Sequence, residues 1–254
     1  MIIIGIIPAR MGSSRFWGKP MAKILGIPMI GHVYMKSKKC KTLNEVYVAT
    51  CDKEIFDYIN TLDGKAIMTS DKHQRCTDRI AEALLYIEKD LNCKIDIVVN
   101  IQGDEPMIYP EMIDEALKPM IEDVNIVTTN LMAPIKTIEE FNDPNTVKVV
   151  VDKKNYALYF SREPIPSLKK GAESVQMSKQ VCVIPFRRDF LIKFNDLPST
   201  PLEIAESVDM LRVIEHGYKV KMVMTRYETY SVDTRDDLLK VERIMMKEFE
   251  GGKL

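Results

Sequence analysis

Arg10, Arg15 and Lys19 fall within ten residues of one another, directly after the apolar run Ile2 to Ile7. Gly12, Ser13 and Ser14 lie between them and add flexible backbone and hydroxyl donors. Cations at that spacing, with amides and hydroxyls filling the gaps, suit an anion as extended as a triphosphate. Gly12 and Gly18 fit neither the dinucleotide glycine fingerprint nor the Gly-Lys-Ser/Thr ending of a P-loop. On an ordinary surface loop, three such cations would be a solvated basic turn. Their place after a buried strand, where open parallel sheets bind ligands, favours the anion cradle. Asp104 follows the apolar run Ile95 to Ile101 in the same way and would face the same crevice. A carboxylate there suits Mg²⁺, which takes one or two carboxylates beside phosphate oxygens and water.

These side chains meet only if strands deliver them to one edge. Strand-like runs at Ile2 to Ile7, Glu45 to Thr50 and Ile95 to Ile101 alternate with helical patterns at Pro28 to Cys40, Lys53 to Leu62 and Asp78 to Lys89. Strands that apolar need cover on both faces, which predicts an α/β fold with a Rossmann-like, mostly parallel sheet. Pro28 and Pro110 suit first helical turns, and Thr77 suits an N-cap. From Asn125 the texture becomes β-rich, with runs at Ile126 to Leu131, Val147 to Val151, Tyr156 to Ser161 and Val181 to Phe186. Ser167 to Ser178 reads as a polar, mobile loop. Leu202 to Glu215 reads as a helix, Lys219 to Met224 as a strand and Arg235 to Phe249 as a closing helix.

Composition narrows the function classes. At 254 residues and 46% hydrophobic content the chain can bury one large core or a core with a subsidiary lobe. With 36 basic and 37 acidic residues, no global field draws it to nucleic acid or an anionic membrane. Cysteines at 40, 51, 76, 93 and 182 are odd in number and form no CxxC pair, which argues against a disulfide framework and for a reduced, cytoplasmic setting. The apolar N-terminal run is short and has no charged leader, so it reads as a strand and not as a signal peptide or membrane span. Histidines at 32, 73 and 216 are too scattered for a zinc site or a histidine-centred triad.

The segments Pro8-Ala9-Arg10, Ser13-Ser14-Arg15 and Gly18-Lys19-Pro20 resemble the signature loop of nucleotide-sugar transferases. Gln102-Gly103-Asp104-Glu105-Pro106, Tyr159-Phe160-Ser161-Arg162 and Val232-Asp233-Thr234 narrow the resemblance to the CMP-Kdo synthetases, the 3-deoxy-manno-octulosonate (Kdo) cytidylyltransferases. It extends from Ile2 to about Val241. The resemblance implies a single cytidylyltransferase domain, with a nucleotide-binding core at about 1–122 and 196–254 and a β-rich sugar-capping and dimerisation lobe at about 123–195. It implies transfer of CMP from CTP to a 3-deoxy sugar acid with release of pyrophosphate, for lipopolysaccharide or capsule synthesis, by a cytoplasmic homodimer. Arg10, Lys19 and Asp104 are then the catalytic residues. Pro8, Ala9, Arg10, Gly12, Ser13, Ser14, Arg15, Lys19, Arg79, Asn100 and Gln102 line the nucleotide, and Asp104 and Asp233 hold Mg²⁺. Asn100 and Gln102 either read a base edge or ribose or satisfy nearby backbone groups. Arg162 is the candidate clamp for the acceptor carboxylate, with Gln180, Ile184, Glu206, Asp209 and Met210 beside it.

The departures from the family pattern fall on the acceptor side. Where family chains carry a basic-His-x-Gly-x-Tyr segment, this one has Gln180, Cys182 and Ile184 at the His, Gly and Tyr positions, and Met210 replaces a Gln downstream. Losing polar groups that pair with sugar hydroxyls shifts discrimination. The expectation is therefore a retuned pocket, for Kdo itself or for an amino-substituted, phosphorylated or phosphonate acceptor. Trp17 stands where the loop normally has Pro, either stiffening the loop by packing or shielding the phosphates.

Overall fold

The opening apolar run becomes β1 (Ile3–Ala9), buried along its whole length in the computed structural model, which describes residues 1–13, 15–73, 75–169 and 176–250. The chain divides into two compact units, one made of Met1–Asp114 with the segment from Glu228 onward, the other of Glu115–Tyr227.

In the first unit β1 is followed by a short 3-10 turn at Lys19–Met21 and a two-stranded ribbon, β2 (Lys23–Ile24) and β3 (Ile27–Pro28). Then come α1 (Met29–Ser37), β4 (Glu45–Thr50), α2 (Lys53–Thr61), β5 (Lys65–Met68), α3 (Cys76–Leu91) and β6 (Ile97–Ile101). The strands run in the order β6-β1-β4-β5, all parallel, with Ile4 beside Glu45 and Val98 and Ala9 beside Thr50. Parallel strands end at one edge, so residues 10–19, 51–52 and 102–106 are delivered there together. Branched side chains fill the sheet: Ile4, Ile6, Ile7, Val48, Val98 and Val99 are buried. Thr77 does not cap a helix, because α3 already begins at Cys76 with Arg75 in the cap position. The short strand β5, with two exposed and two partly buried residues, escapes sequence patterning.

The chain leaves this unit within α4 (Pro110–Glu122) and returns to it in the segment carrying the last helix. The second unit contains β7 (Thr129–Pro134), α5 (Ile138–Asn142), β8 (Lys148–Val151), β9 (Ala157–Ser161), β10 (Ser178–Val181), β11 (Val183–Arg187), α6 (Arg188–Asp196), α7 (Pro201–Glu206), α8 (Met210–Glu215) and β12 (Lys221–Met224). Its sheet has the order β12-β7-β10-β8-β9, antiparallel except where β12 joins β7. Phe186 lies 6.5 Å from Phe190 and 5.9 Å from Phe194, ring centre to ring centre, which builds an aromatic core against α6. Residues 196–227, placed by resemblance in the nucleotide-binding core, make their contacts here. Arg212 on α8 donates to both oxygens of buried Glu203 on α7 at 2.7 and 2.6 Å, and β12 pairs with β7. The single helix expected over Leu202 to Glu215 is two helices, because Ser207 turns left-handed (φ 52°) and caps α7. Six residues of the loop expected to be mobile, 170–175, lie outside the described residues. The last helix, α9 (Arg235–Glu250), belongs to the first unit.

Candidate functional site

The loop after β1 is closed on itself. Gly18 donates its N–H to the Met11 carbonyl at 2.9 Å, and Asp52, just past β4, accepts from the Met11 N–H at 2.8 Å. Gly18 has φ 73°, a left-handed conformation that glycine adopts at little cost, and it turns the chain directly into Lys19. Phe16 anchors the loop from within, buried with Met29, Met107, Val232, Val241 and Met245. That one cluster also holds the residue before Asp233 and a residue three after Asp104. Trp17 is 72% exposed, so it does not stiffen the loop by packing.

Lys19 is where the sequence-distant motifs meet. Its ammonium lies 2.8 Å from Asp104 Oδ2 and 3.3 Å from Asp233 Oδ1, and Arg15 reaches the same Asp233 oxygen at 3.0 Å. Burial pushes the Lys19 ammonium down, but Asp104 and then Asp233 outweigh it and hold its pKa above the ordinary lysine value. Asp104 sits on the turn after β6, where Gly103 passes so close that an added Cβ would lie 3.0 Å from the Pro8 carbonyl. The segment before α9 is stitched alongside. The Val232 N–H donates to the Asp104 carbonyl at 2.9 Å, and Thr229 Oγ1 donates to buried Glu105 at 2.5 Å. Asp233 is then fixed by a capping box. Asp237 accepts from the Thr234 N–H at 2.8 Å and from the Asp233 N–H at 3.1 Å, while Thr234 Oγ1 accepts from the Asp237 N–H. Asp52, Thr229 and Asp237 were not singled out from sequence, and Glu105 was quoted in a motif without a role. Only the Thr234-x-x-Asp237 capping pattern could have been read there.

The other nucleotide-side residues divide. Arg10 is exposed and makes no side-chain hydrogen bond or ion pair with the described residues, while Pro8 and Ala9 are buried at the end of β1. Gly12 is exposed, Ser13 accepts from the Phe16 N–H, and Ser14 lies outside the described residues. Arg79 is only 3% exposed; its Nη1 donates to Thr69 Oγ1 at 2.5 Å and to the Ser70 carbonyl at 3.2 Å, whereas its Nη2 is buried without a partner among the described residues. Gln102 donates to Asn100 at 3.2 Å and accepts from Cys76 Sγ at 3.5 Å, so the two amides pair with each other.

The acceptor-side candidates all belong to the second unit. Glu206 accepts from Tyr159 at 3.1 Å, from Ser161 Oγ at 2.8 Å and from the Arg162 N–H at 2.8 Å. Burial raises this carboxyl, but the Arg162 N–H, the two hydroxyls and the Arg162 charge outweigh it and hold it below its ordinary range. Arg162 is already engaged: Nε donates to the Glu206 carbonyl at 2.7 Å and Nη1 to the Pro144 carbonyl at 2.9 Å. Gln180 Nε2 donates to Asn130 at 2.6 Å. Asp209 is half-buried at the start of α8. Ile184 is 6% exposed and Met210 0%, so both are core side chains here, Met210 with no surface and Ile184 with very little.

No helix among the described residues is long and apolar enough to cross a membrane. A family model described as cytidylyltransferase matches residues 4–228. The 3-deoxy-manno-octulosonate cytidylyltransferase of Geotalea uraniireducens is 44% identical over 251 residues, covering 95% of this chain and 98% of that relative. Its counterpart in Geotalea daltonii is 43% identical over 251 residues, covering 95% and 97%. A solved CMP:2-keto-3-deoxy-manno-octonic acid synthetase complexed with CTP matches at a TM-score of 0.89 and 38% identity, covering 98% of this chain and 100% of that one.

Proposed function

Because the chain belongs to the 3-deoxy-manno-octulosonate cytidylyltransferase family, we propose that it transfers CMP from CTP to Kdo and releases pyrophosphate. The observation that carries this reading is the junction of Lys19, Asp104 and Asp233, three motifs far apart in sequence that converge on one ammonium. The reaction is attack of an acceptor hydroxyl on the α-phosphorus, opposed by charge on the triphosphate and on the leaving pyrophosphate. Arg10, Arg15 and Lys19 neutralise those charges. Arg79 brings a buried donor, Nη2, with no hydrogen-bond partner among the described residues, which a ligand oxygen would satisfy.

The carboxylates fit Mg²⁺. Both reach one cation, the ammonium of Lys19, and magnesium needs no more than two carboxylates with phosphate oxygens and water. Asp104 and Asp233 would hold it, and it would supply charge neutralisation at the phosphates. On the acceptor side, Arg162 faces the sugar-acid carboxylate with Glu206 and Gln180 beside it. Ile184 and Met210 belong to the core, so the departures at those positions do not favour a different acceptor. The product feeds surface polysaccharide synthesis, and the working form is a cytoplasmic homodimer.

Pyrophosphate release measured with each of the four nucleoside triphosphates, with and without magnesium, against Kdo and a panel of sugar acids and phosphonates tests the reading. Release with CTP and Kdo, dependent on magnesium, is expected. Turnover confined to another nucleotide or another acceptor would overturn it.

A further inference from the structure

Lys148, the first residue of β8, is 0% exposed, and lysine is seldom fully buried unless its charge is paired. Its ammonium forms none of the ion pairs among the described residues that would neutralise it. Its three protons go instead to three carbonyls: Asp143 at 2.9 Å, Thr146 at 2.7 Å and Arg162 in a shorter contact. Donors and acceptors match in number. Burial pushes this ammonium below its ordinary range, with Asp143 and Glu163 opposing that shift. A buried cation hydrogen-bonded to carbonyls, with no carboxylate in contact among the described residues, is expensive compared with an apolar side chain of similar volume. What it secures is geometry: two carbonyls of the turn before β8 are tied to the residue that follows β9.

That residue is Arg162, and it is gripped from the other side as well. The Glu206 carboxylate holds its N–H, the Glu206 carbonyl takes its Nε, and the Pro144 carbonyl takes its Nη1. Pro144 lies inside the same turn that Lys148 ties down. Only Nη2 of Arg162 makes no hydrogen bond with the described residues, so the guanidinium is fixed with one donor group uncommitted.

We propose that Lys148 is a positioning residue for acceptor binding, fixing the Arg162 main chain and the 143–146 turn so that the guanidinium is presented in one orientation. The proposal rests on the reading of Arg162 as the contact for the acceptor carboxylate. Its specific consequence is an effect on one substrate. Loosening Lys148 should weaken the sugar acid and leave the nucleotide alone, because Lys148 and its partners all belong to the second unit, whereas the Lys19 junction belongs to the first.

The test is steady-state kinetics on the full chain with Lys148→Met, Arg162→Met and the double variant, Kdo and CTP varied separately. Lys148→Met is expected to raise the KM for Kdo by about tenfold or more, with the CTP KM moving less than about twofold, given three carbonyls left without donors. The double variant should match Arg162→Met alone, since both changes act through one side chain. Should Lys148→Met fail to fold, Lys148→Ala assayed with added ethylammonium takes its place, and the amine should lower the Kdo KM toward wild type. Equal rises in both KM values, additive effects in the double variant, or absence of rescue would overturn the proposal. An unchanged Kdo KM in Arg162→Met would instead remove the underlying reading of Arg162, a separate and distinguishable result.

Discussion

Two lysines, one in each unit, show opposite ways of placing a cation. Lys19 is shared between two part-buried carboxylates, at 2.8 and 3.3 Å. Lys148 is sealed in, and its hydrogen bonds among the described residues go to carbonyls. Side chains that hold the first can rotate away or take another partner; main-chain groups that hold the second cannot move without the turn moving too. On the reading proposed above, the difference separates a cation that acts on the nucleotide from one that positions an acceptor contact. It also explains the pKa directions, raised beside carboxylates for Lys19 and lowered by burial for Lys148.

The strongest way to break this contrast is Asp104→Asn. A neutral amide is a poor ligand for a hard cation and a weak partner for Lys19, so magnesium-dependent turnover should be lost while the far-ultraviolet circular dichroism is kept. Full rate at the same magnesium concentration would make Asp104 structural. Lys19→Ala comes next, with an expected loss of about a hundredfold in kcat, the scale on which one charge-stabilising group at a transferring phosphoryl acts. A near-normal kcat would place Lys19 with Lys148 as a structural cation.

Smaller effects sharpen the second side. Restoring the family side chains by Ile184→Tyr or Met210→Gln should cost about 1–3 kcal/mol in urea unfolding, because both sites are buried and the new side chain adds volume or a polar group to the core. A rise in Kdo turnover without loss of stability would return these positions to the acceptor pocket. The smallest effect is pH-dependent. The Glu206 carboxyl is held below its ordinary range, so its contribution to stability is present above the unfolded carboxylate pKa and fades as pH falls through the folded one. Glu206→Gln should therefore lower the thermal midpoint at pH 7 more than at about pH 3, near and below the ordinary glutamate range. A gap that did not narrow in acid would show that the charge of Glu206 is irrelevant.

Lys19 and Asp104 were legible in sequence because each follows an apolar run, and parallel strands carry their ends to one edge, whereas Asp233 follows no strand of that sheet and came from the family resemblance alone. Lys148 was not legible. In Thr-Val-Lys-Val-Val-Val a single lysine on a strand reads as an outward-facing, solvated residue, and nothing in the spacing announces that it folds back on its own turn and reaches the Arg162 carbonyl. The break at Ser207 was hidden for a related reason. The 3.6-residue periodicity continues through it, while the left-handed turn that ends α7 comes from one serine rather than from a glycine. Met210 and Ile184 were placed by motif position alone, which fixes the order of residues along the chain but not the face they turn to the core. Patterns report neighbours along an element; contacts between elements set in place by main-chain carbonyls leave no such trace.

The first unit is discontinuous, and Asp233 comes from its late segment, 129 positions after Asp104 as the two numbers differ, 233 − 104. A chain growing on the ribosome makes its N-terminal part first, at about 5–20 residues per second. Lys19 and Asp104 therefore emerge well before their second carboxylate, the Val232 stitch and the α9 cap exist. The half-made protein holds the cradle without the partner that completes it. Synthesis itself orders the assembly, and the centre is finished only when the second unit has already been made.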